Sequence, residues 1–292
     1  MGFWKTFFGG EEISVEEEKK NASQRNFDLL KYDGVKAMRI GQNDYAVKCF
    51  REALKIQEDL EVHDYLSRAL IRLGLMDEAL DELKIIISNH PDNIGAYVQA
   101  AHVAYMMEDY THMAALCEEG EAVDANNAML QLMYARAELG QDRMVQAIAR
   151  LTKTVVLDEE LADARLLRGQ TLLRMGDLDG AQADTDWLLA HVQDSEDVLL
   201  LQARILLAKG DVDGALEAYG RVVDVNPFQL DAYRERGKLR YVKGDKQGAE
   251  DDMQKVLELN PSEMADVSGD YSAEGIEQKT RRAYSNLNPF GI

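Results

Sequence analysis

Prolines are scarce, four in 292 residues, and no stretch alternates apolar with polar side chains as a half-buried strand does. Both deficits argue against a sheet protein and leave helices as the expected elements. Basic charge is also short, with 33 Lys and Arg facing 53 Asp and Glu for a formal charge of -20. A surface of that sign repels a polyphosphate backbone, so nucleic acid is not an expected partner. The two cysteines, Cys49 and Cys117, form no CxxC pair. They read as small core hydrophobes in a reducing compartment rather than as zinc or redox ligands. No window approaches the ~18 apolar residues a membrane span requires. The apolar start is short and runs into Glu11 and Glu12, so no secretory leader is expected and a cytoplasmic location is.

Templates for chemistry are missing as well. His63, His90, His102, His112 and His191 show no HExxH spacing, and no GxGxxG, P-loop or GxSxG motif occurs. Asp177-Leu178-Asp179-Gly180 and Asp211-Val212-Asp213-Gly214 resemble calcium loops at first sight. They lack the glycine at loop position 6, and both fall at a turn where Asp is expected to cap a helix. No catalytic residue, metal or cofactor is therefore expected, and an enzyme is not the expected reading.

What the chain does contain is a ruler. Gly34, Ser67, Ala101, Ala135, Gly169, Ala203 and Gly237 recur with one step of 33 and five of 34. Ala46, Ala79, Met113, Ala147, Ala181, Ala215 and Ala249 keep the same beat, and Pro91, Pro227 and Pro261 fall in phase. Self-similarity at this period means a stacked array whose units bury their apolar faces against their neighbours. Residues 196–229 illustrate one unit. Leu199, Ala203, Leu206 and Leu207 form a helical stripe, and Gly210 suits the left-handed residue that ends it. Asp211 then caps a second helix carrying Ala215, Tyr219, Val222 and Val223, and Asn226-Pro227 stops it. Each unit is thus a helical hairpin.

This pattern resembles the tetratricopeptide repeat, W-x2-L-G-x2-Y, then A-x3-F, then P, over 34 residues. With repeats starting at 27, 60, 94, 128, 162, 196 and 230, position 8 holds the first small-residue series and position 20 the second. Position 24 carries Phe50, Leu83, Cys117, Leu151, Thr185, Tyr219 and Met253. The resemblance implies an all-α, right-handed solenoid of about seven helical hairpins with a C-terminal capping helix. Repeats three and four depart most, through Met113, Gly120 and Gly140. Gly140 stands two places early, which leaves the pairing of its helix ambiguous by two residues and predicts a change of pitch or a loosening there.

Three regions are expected: an aromatic segment and charged helix at 1–26, the array at 27–261, and a capping helix and tail at 262–292. Ser14 with Glu17 forms a capping-box signature ahead of a helix that could run straight into the first repeat. Ser272 is placed to cap a last helix with Ile276, Thr280, Ala283, Tyr284 and Leu287 on one face. Phe3, Trp4, Phe7 and Phe8 are costly to leave in water. They could pack on the first repeat, on a second copy or against a membrane surface. Gly2 followed by Thr6 also fits a myristoylation pattern.

The resemblance further implies that positions 2, 5, 9 and 12 of each first helix face a concave groove, consistent with helical spacing. Position 9 reads Val35, Arg68, His102, Arg136, Gln170, Arg204 and Lys238. Position 5 includes Leu132, Leu166, Leu200 and Arg234, and Tyr105 and Tyr241 occupy position 12. These residues suit an adaptor that holds a protein or peptide segment, partly acidic with apolar anchors. Two readings stay open: a ligand-facing ladder, or internal ion pairs such as Arg68 with Asp64, Arg136 with Asp163 and Arg204 with Asp231. Some family members grip a C-terminal carboxylate with a Lys–Asn–Asn–Lys–Arg clamp. Lys31 matches its first position only; Val35, Tyr65, Gly95 and Gln99 occupy the rest. The alternative reading is a scaffold that self-associates or meets a membrane surface through its aromatic start.

Overall fold

The computed structural model describes residues 15–262 and 273–285. The aromatic start, Ser14 and the tail beyond Ser285 lie outside them. The described residues form fifteen helices and no strand. They run α1 (Val15–Arg39), α2 (Asn43–Ile56), α3 (Leu60–Arg72), α4 (Met76–Asn89), α5 (Ile94–Met106), α6 (Tyr110–Val123), α7 (Ala128–Gly140), α8 (Met144–Leu157), α9 (Ala162–Met175), α10 (Leu178–His191), α11 (Glu196–Ala208), α12 (Val212–Val225), α13 (Leu230–Val242), α14 (Lys246–Leu259) and α15 (Ala273–Ser285). Odd-numbered helices up to α13 are the first, or A, helices of their repeats, and even-numbered ones the second, or B. The charged helix and the first A helix are one continuous α1.

The chain divides into two compact units, Met1–Arg143 and Met144–Ile292. In the first, hairpins α1–α2, α3–α4 and α5–α6 stack in order and are followed by α7. In the second, α8 precedes hairpins α9–α10, α11–α12 and α13–α14, and α15 packs on α13 and α14.

Turn chemistry explains why each A helix stops where it does. Gly41, Gly74, Gly176, Gly210 and Gly244 all have φ between 76° and 88°. At Gly210 and Asp211 the amides reach back to Leu207 and Leu206 carbonyls, each at 2.9 Å, satisfying the last helical acceptors. Glu108 and Asp142 occupy the same phase with φ of 57° and 61°. The pairing left ambiguous by Gly140 is thereby settled: the left-handed residue is Asp142, and the 34-residue beat does not slip. Gly140 serves a different purpose, since a methyl group there would lie 2.2 Å from Cγ of Tyr110. Gly120 is likewise a seat, with Leu130 Cδ1 and Tyr97 Cβ at 3.0 and 3.1 Å from such a methyl.

The B helices begin on a shared device. Asp177, Asp211 and Asp245 accept hydrogen bonds from the amides of Gly180, Gly214 and Gly248, each at 2.9 Å. These are N-caps, which is what the calcium-like strings are. A and B helices then close on one another where position 8 is small. At Gly34 a Cβ would lie 2.5 Å from the fully buried Phe50 ring. At Gly237 it would lie 2.7 Å from the hydroxyl of Tyr284, so α15 is seated on α13 by the same absence of a side chain. Ile276 and Tyr284 join the core of the last two hairpins.

Hairpins α9–α10 and α13–α14 add a buried ion pair between position 7 of A and position 23 of B. Asp184, 2% exposed, accepts from Arg168 Nη2 at 2.6 Å and Nε at 2.8 Å, with Arg165 at 3.8 Å. Two repeats on, Asp252 meets Arg236 at 2.6 Å and Arg240 at 3.0 Å. Hairpin α5–α6 fills the same two positions with Ala100 and Leu116, both buried.

Candidate partner-binding faces

In the first unit, the candidate residues are spread along α3, α5 and α7. Arg68 is exposed and pairs with Asp64 one turn away at 2.9 Å. Asp64 also accepts from Gln99 at 3.5 Å. Both Asp64 and Arg68 line a cavity of about 350 Å³ together with Glu61, His90, Asn93 and Gln99. Lys31 is held by Asp59 at 3.2 Å and Glu61 at 2.6 Å. Burial opposes its charge, but these two carboxylates outweigh that and raise its pKa. His102 and Tyr105 are exposed. The Arg136 guanidinium lies 5.4 Å from the Tyr105 ring centre, and Tyr110 meets that ring edge-on at 6.3 Å. Leu132, by contrast, is 1% exposed and belongs to the core.

The second unit gathers its candidates more tightly. Gln170, Leu200 and Arg204 share one cavity of about 330 Å³ with Leu173, Arg174, Asp197 and Leu201. Helix α9 supplies Gln170, Leu173 and Arg174, and α11 the rest, because neighbouring A helices lie side by side. The cavity has an apolar floor, where Leu200 and Leu201 are buried, and a charged rim. Leu166 is half-buried behind it, packed against a small core of Ala181, Leu201 and Ile205.

Arg204 has an internal partner that spacing alone did not indicate. Its Nη2 and Nε donate to Glu235 at 2.6 and 3.2 Å, while Asp231 stands at 4.0 Å. Glu235 also accepts from the Tyr219 hydroxyl. Burial, and then the Glu235 charge, push the Tyr219 phenol well above its ordinary pKa, so it donates at any physiological pH. Arg234 pairs with Asp231 at 3.3 Å, one turn before it on the same helix. Lys238 is half-buried and makes no ion pair among the described residues. Tyr241 lies against Tyr284 at 6.0 Å, next to the terminal helix.

Of the residues missed from sequence, Leu173 sits at position 12 and Asp197 at position 2, so the same register contained them. Glu235 at position 6 carried no such signal.

Comparison with known proteins adds the following. The family model described as tetratricopeptide repeat matches residues 166–220 and 200–263. No curated protein sequence matches the chain. Among solved structures, a tetratricopeptide repeat protein from Parabacteroides merdae is similar with a TM-score of 0.67 at 15% identity, over 90% of this chain and 100% of that one. PilF of Pseudomonas aeruginosa gives 0.61 at 15% identity, over 77% of this chain and 100% of that one. YrrB, described as a tetratricopeptide repeat protein with an unusual peptide-binding site, gives 0.52 at 15% identity, over 62% and 94%.

Proposed function

We propose, from the premise that this chain is a tetratricopeptide-repeat protein, that it is a non-enzymatic adaptor holding a partner segment on the A-helix face of its second unit. Proteins of this family mediate protein–protein contacts, and YrrB is a neighbour of the same fold described by its peptide-binding site. The observation that carries the reading is the α9–α11 cavity. Its volume of about 330 Å³ suits one or two apolar side chains, and Leu173, Leu200 and Leu201 offer them a dry floor. Gln170 and Arg204 at the rim, with Lys238 further along on α13, favour carboxylates on either side of that anchor. A partner carboxylate would compete with Glu235 for Arg204 and meet Lys238 without competition. In the first unit, His102, Tyr105 and Arg136 form a separate proposed contact of the same chemistry. Cys49 and Cys117, both buried and neither in a disulfide, support residence in a reducing, cytoplasmic setting. No helix among the described residues is long and apolar enough to cross a membrane.

The test is a peptide-display selection against the full chain, followed by calorimetric titration of the selected peptides. Selected sequences are expected to place Leu, Met or Phe between acidic residues. Gln170→Trp, which fills the cavity, and Lys238→Glu, which reverses the rim charge, should each weaken binding about tenfold or more. Rising salt should weaken it too, because half-exposed charges are screened beyond ~8 Å at physiological ionic strength. Peptides that bind both variants as tightly as the parent would overturn the proposal.

A further inference from the structure

Helix α1 departs from a rule that the other six A helices keep. Position 3 of those helices holds Val62, Ala96, Leu130, Ala164, Val198 and Ala232, each no more than 3% exposed. Position 10, from Ala69 in α3 to Leu239 in α13, is buried in all six as well. The reason is visible at Leu130: a methyl built on Gly120 of the preceding B helix would lie 3.0 Å from its Cδ1. Positions 3 and 10 are where an A helix is covered by the hairpin before it. On α1 these positions are Leu29, 58% exposed, and Lys36, also exposed, and Tyr32 between them is 66% exposed.

Helix α1 also runs to 25 residues, against 13 or 14 in the other A helices. The excess, residues 16–26, precedes the first repeat and is exposed throughout. A short polar helix with nothing packed on it is only marginally stable in water. The open face and this unsupported extension lie on one line. Glu18, Ala22, Arg25, Leu29, Tyr32 and Lys36 are spaced alternately by four and three residues, which is the seam of a helix that packs on another helix.

We propose that this seam pairs with its own copy, two α1 helices lying antiparallel across a two-fold axis at the level of Phe27. The stripe is its own complement in that direction. Glu18 meets the partner's Lys36, Ala22 the partner's Tyr32, and Arg25 the partner's Leu29. The small Ala22 leaves room for the Tyr32 ring, and the Arg25 stem covers Leu29 while its guanidinium stays in water. Parallel pairing would instead set Arg25 on Arg25 and Lys36 on Lys36. Charge at the helix ends makes the same choice. The first turn of α1 carries Glu16, Glu17 and Glu18, and the last turn Lys36 and Arg39. Of these, Glu18, Lys36 and Arg39 make no ion pair among the described residues. Antiparallel packing brings the acidic turn of one copy to the basic turn of the other and opposes the two helix dipoles. Head-to-tail stacking offers no such match, because α15 presents exposed Glu274, Glu277, Gln278 and Arg281 to solvent. The extension of each copy thus covers the open face of the other, and the contact closes on itself as a dimer. From Glu18 to Lys36 the seam is about 27 Å long at 1.5 Å per residue. With Leu29 and Tyr32 as its large apolar side chains, it is small for a specific interface, so association is expected in the micromolar range. The inference is independent of the α9–α11 cavity.

Sedimentation velocity of the full chain, from low to high micromolar concentration, should show a reversible shift from one chain mass to two. Leu29→Lys with Tyr32→Lys should leave a monomer at every concentration. Both positions are exposed, and circular dichroism checks that the fold is kept. Glu18→Lys and Lys36→Glu, taken singly, each turn two attractive pairs into two repulsive ones and should weaken the dimer about tenfold. Mixed together, the two variants complement each other, and the mixture should dimerise about as well as the parent. A parent that stays monomeric leaves the face to a different protein and overturns the proposal. A dimer that ignores the two lysines lies on another surface and overturns it as well. A mixture that associates no better than either single variant rejects the antiparallel seam, and growth beyond two chains rejects the closed two-fold.

Discussion

Replacing Arg168 by Ala should damage hairpin α9–α10, and adding Asp184→Leu should repair most of that damage. In the parent, Asp184 is 2% exposed and takes two hydrogen bonds from one guanidinium. Removing Arg168 strands a carboxylate in the interior, with only Arg165 at 3.8 Å to compensate. Breaking a buried pair from one side costs about 3–5 kcal/mol. The remaining arginine lowers the estimate to about 2–4 kcal/mol. With both charges gone, the site becomes the Ala100–Leu116 arrangement that α5–α6 already uses at this register, so the double variant should lie within about 1 kcal/mol of the parent. At an m-value of about 2 kcal/mol/M, a loss of 3 kcal/mol moves a urea midpoint by about 1.5 M. Stacked repeats need not unfold in one step, so the probe has to be local. Trp187 serves, because Arg165 lies 4.2 Å over its ring beside Asp184, and Trp4→Phe removes the other emitter. If Arg168→Ala moves the midpoint by less than about 0.3 M, or if the double variant is no better than the single, the ion pair does not hold the two helices together.

Gly140→Ala should destabilise the first unit by about 1–3 kcal/mol although alanine is the better helix former, because its methyl collides with the Tyr110 ring; a denaturation midpoint at or above the parent's would refute the close-approach account. His63 is buried with Nδ1 against Glu82 and Nε2 2.6 Å from Glu58, so both ring nitrogens must donate and the ring is held as an imidazolium. Burial opposes that charge, but the two carboxylates outweigh it and raise the pKa above 6.5. The stabilisation should be complete below pH ~6.5 and fade as pH climbs through the raised folded-state value. Denaturation of the parent and His63→Gln across pH 6 to 9 tests this, and parallel curves for the two would remove His63 as the source.

Hairpin architecture was legible because its determinants are local. Whether a residue ends a helix depends on its own φ and on amides and carbonyls within about five residues, as at Gly210 and Asp211. The same short range made the N-caps readable, and it kept the beat true even where Gly140 suggested a slip. Position 8 was legible too, since a missing side chain in phase means a close approach wherever the partner lies. Ion pairing was not. Arg204 reached Glu235, 31 residues on, rather than settling on Asp231 alone, because the rotation of α13 against α11 brought one carboxylate nearer than another four residues away. Burial along position 5 was equally hidden: Leu132 and Leu200 went into the core while Leu166 stayed half-buried. A period in the sequence says which residues share a face, but long side chains choose partners by helix rotations that only the packed tertiary structure determines.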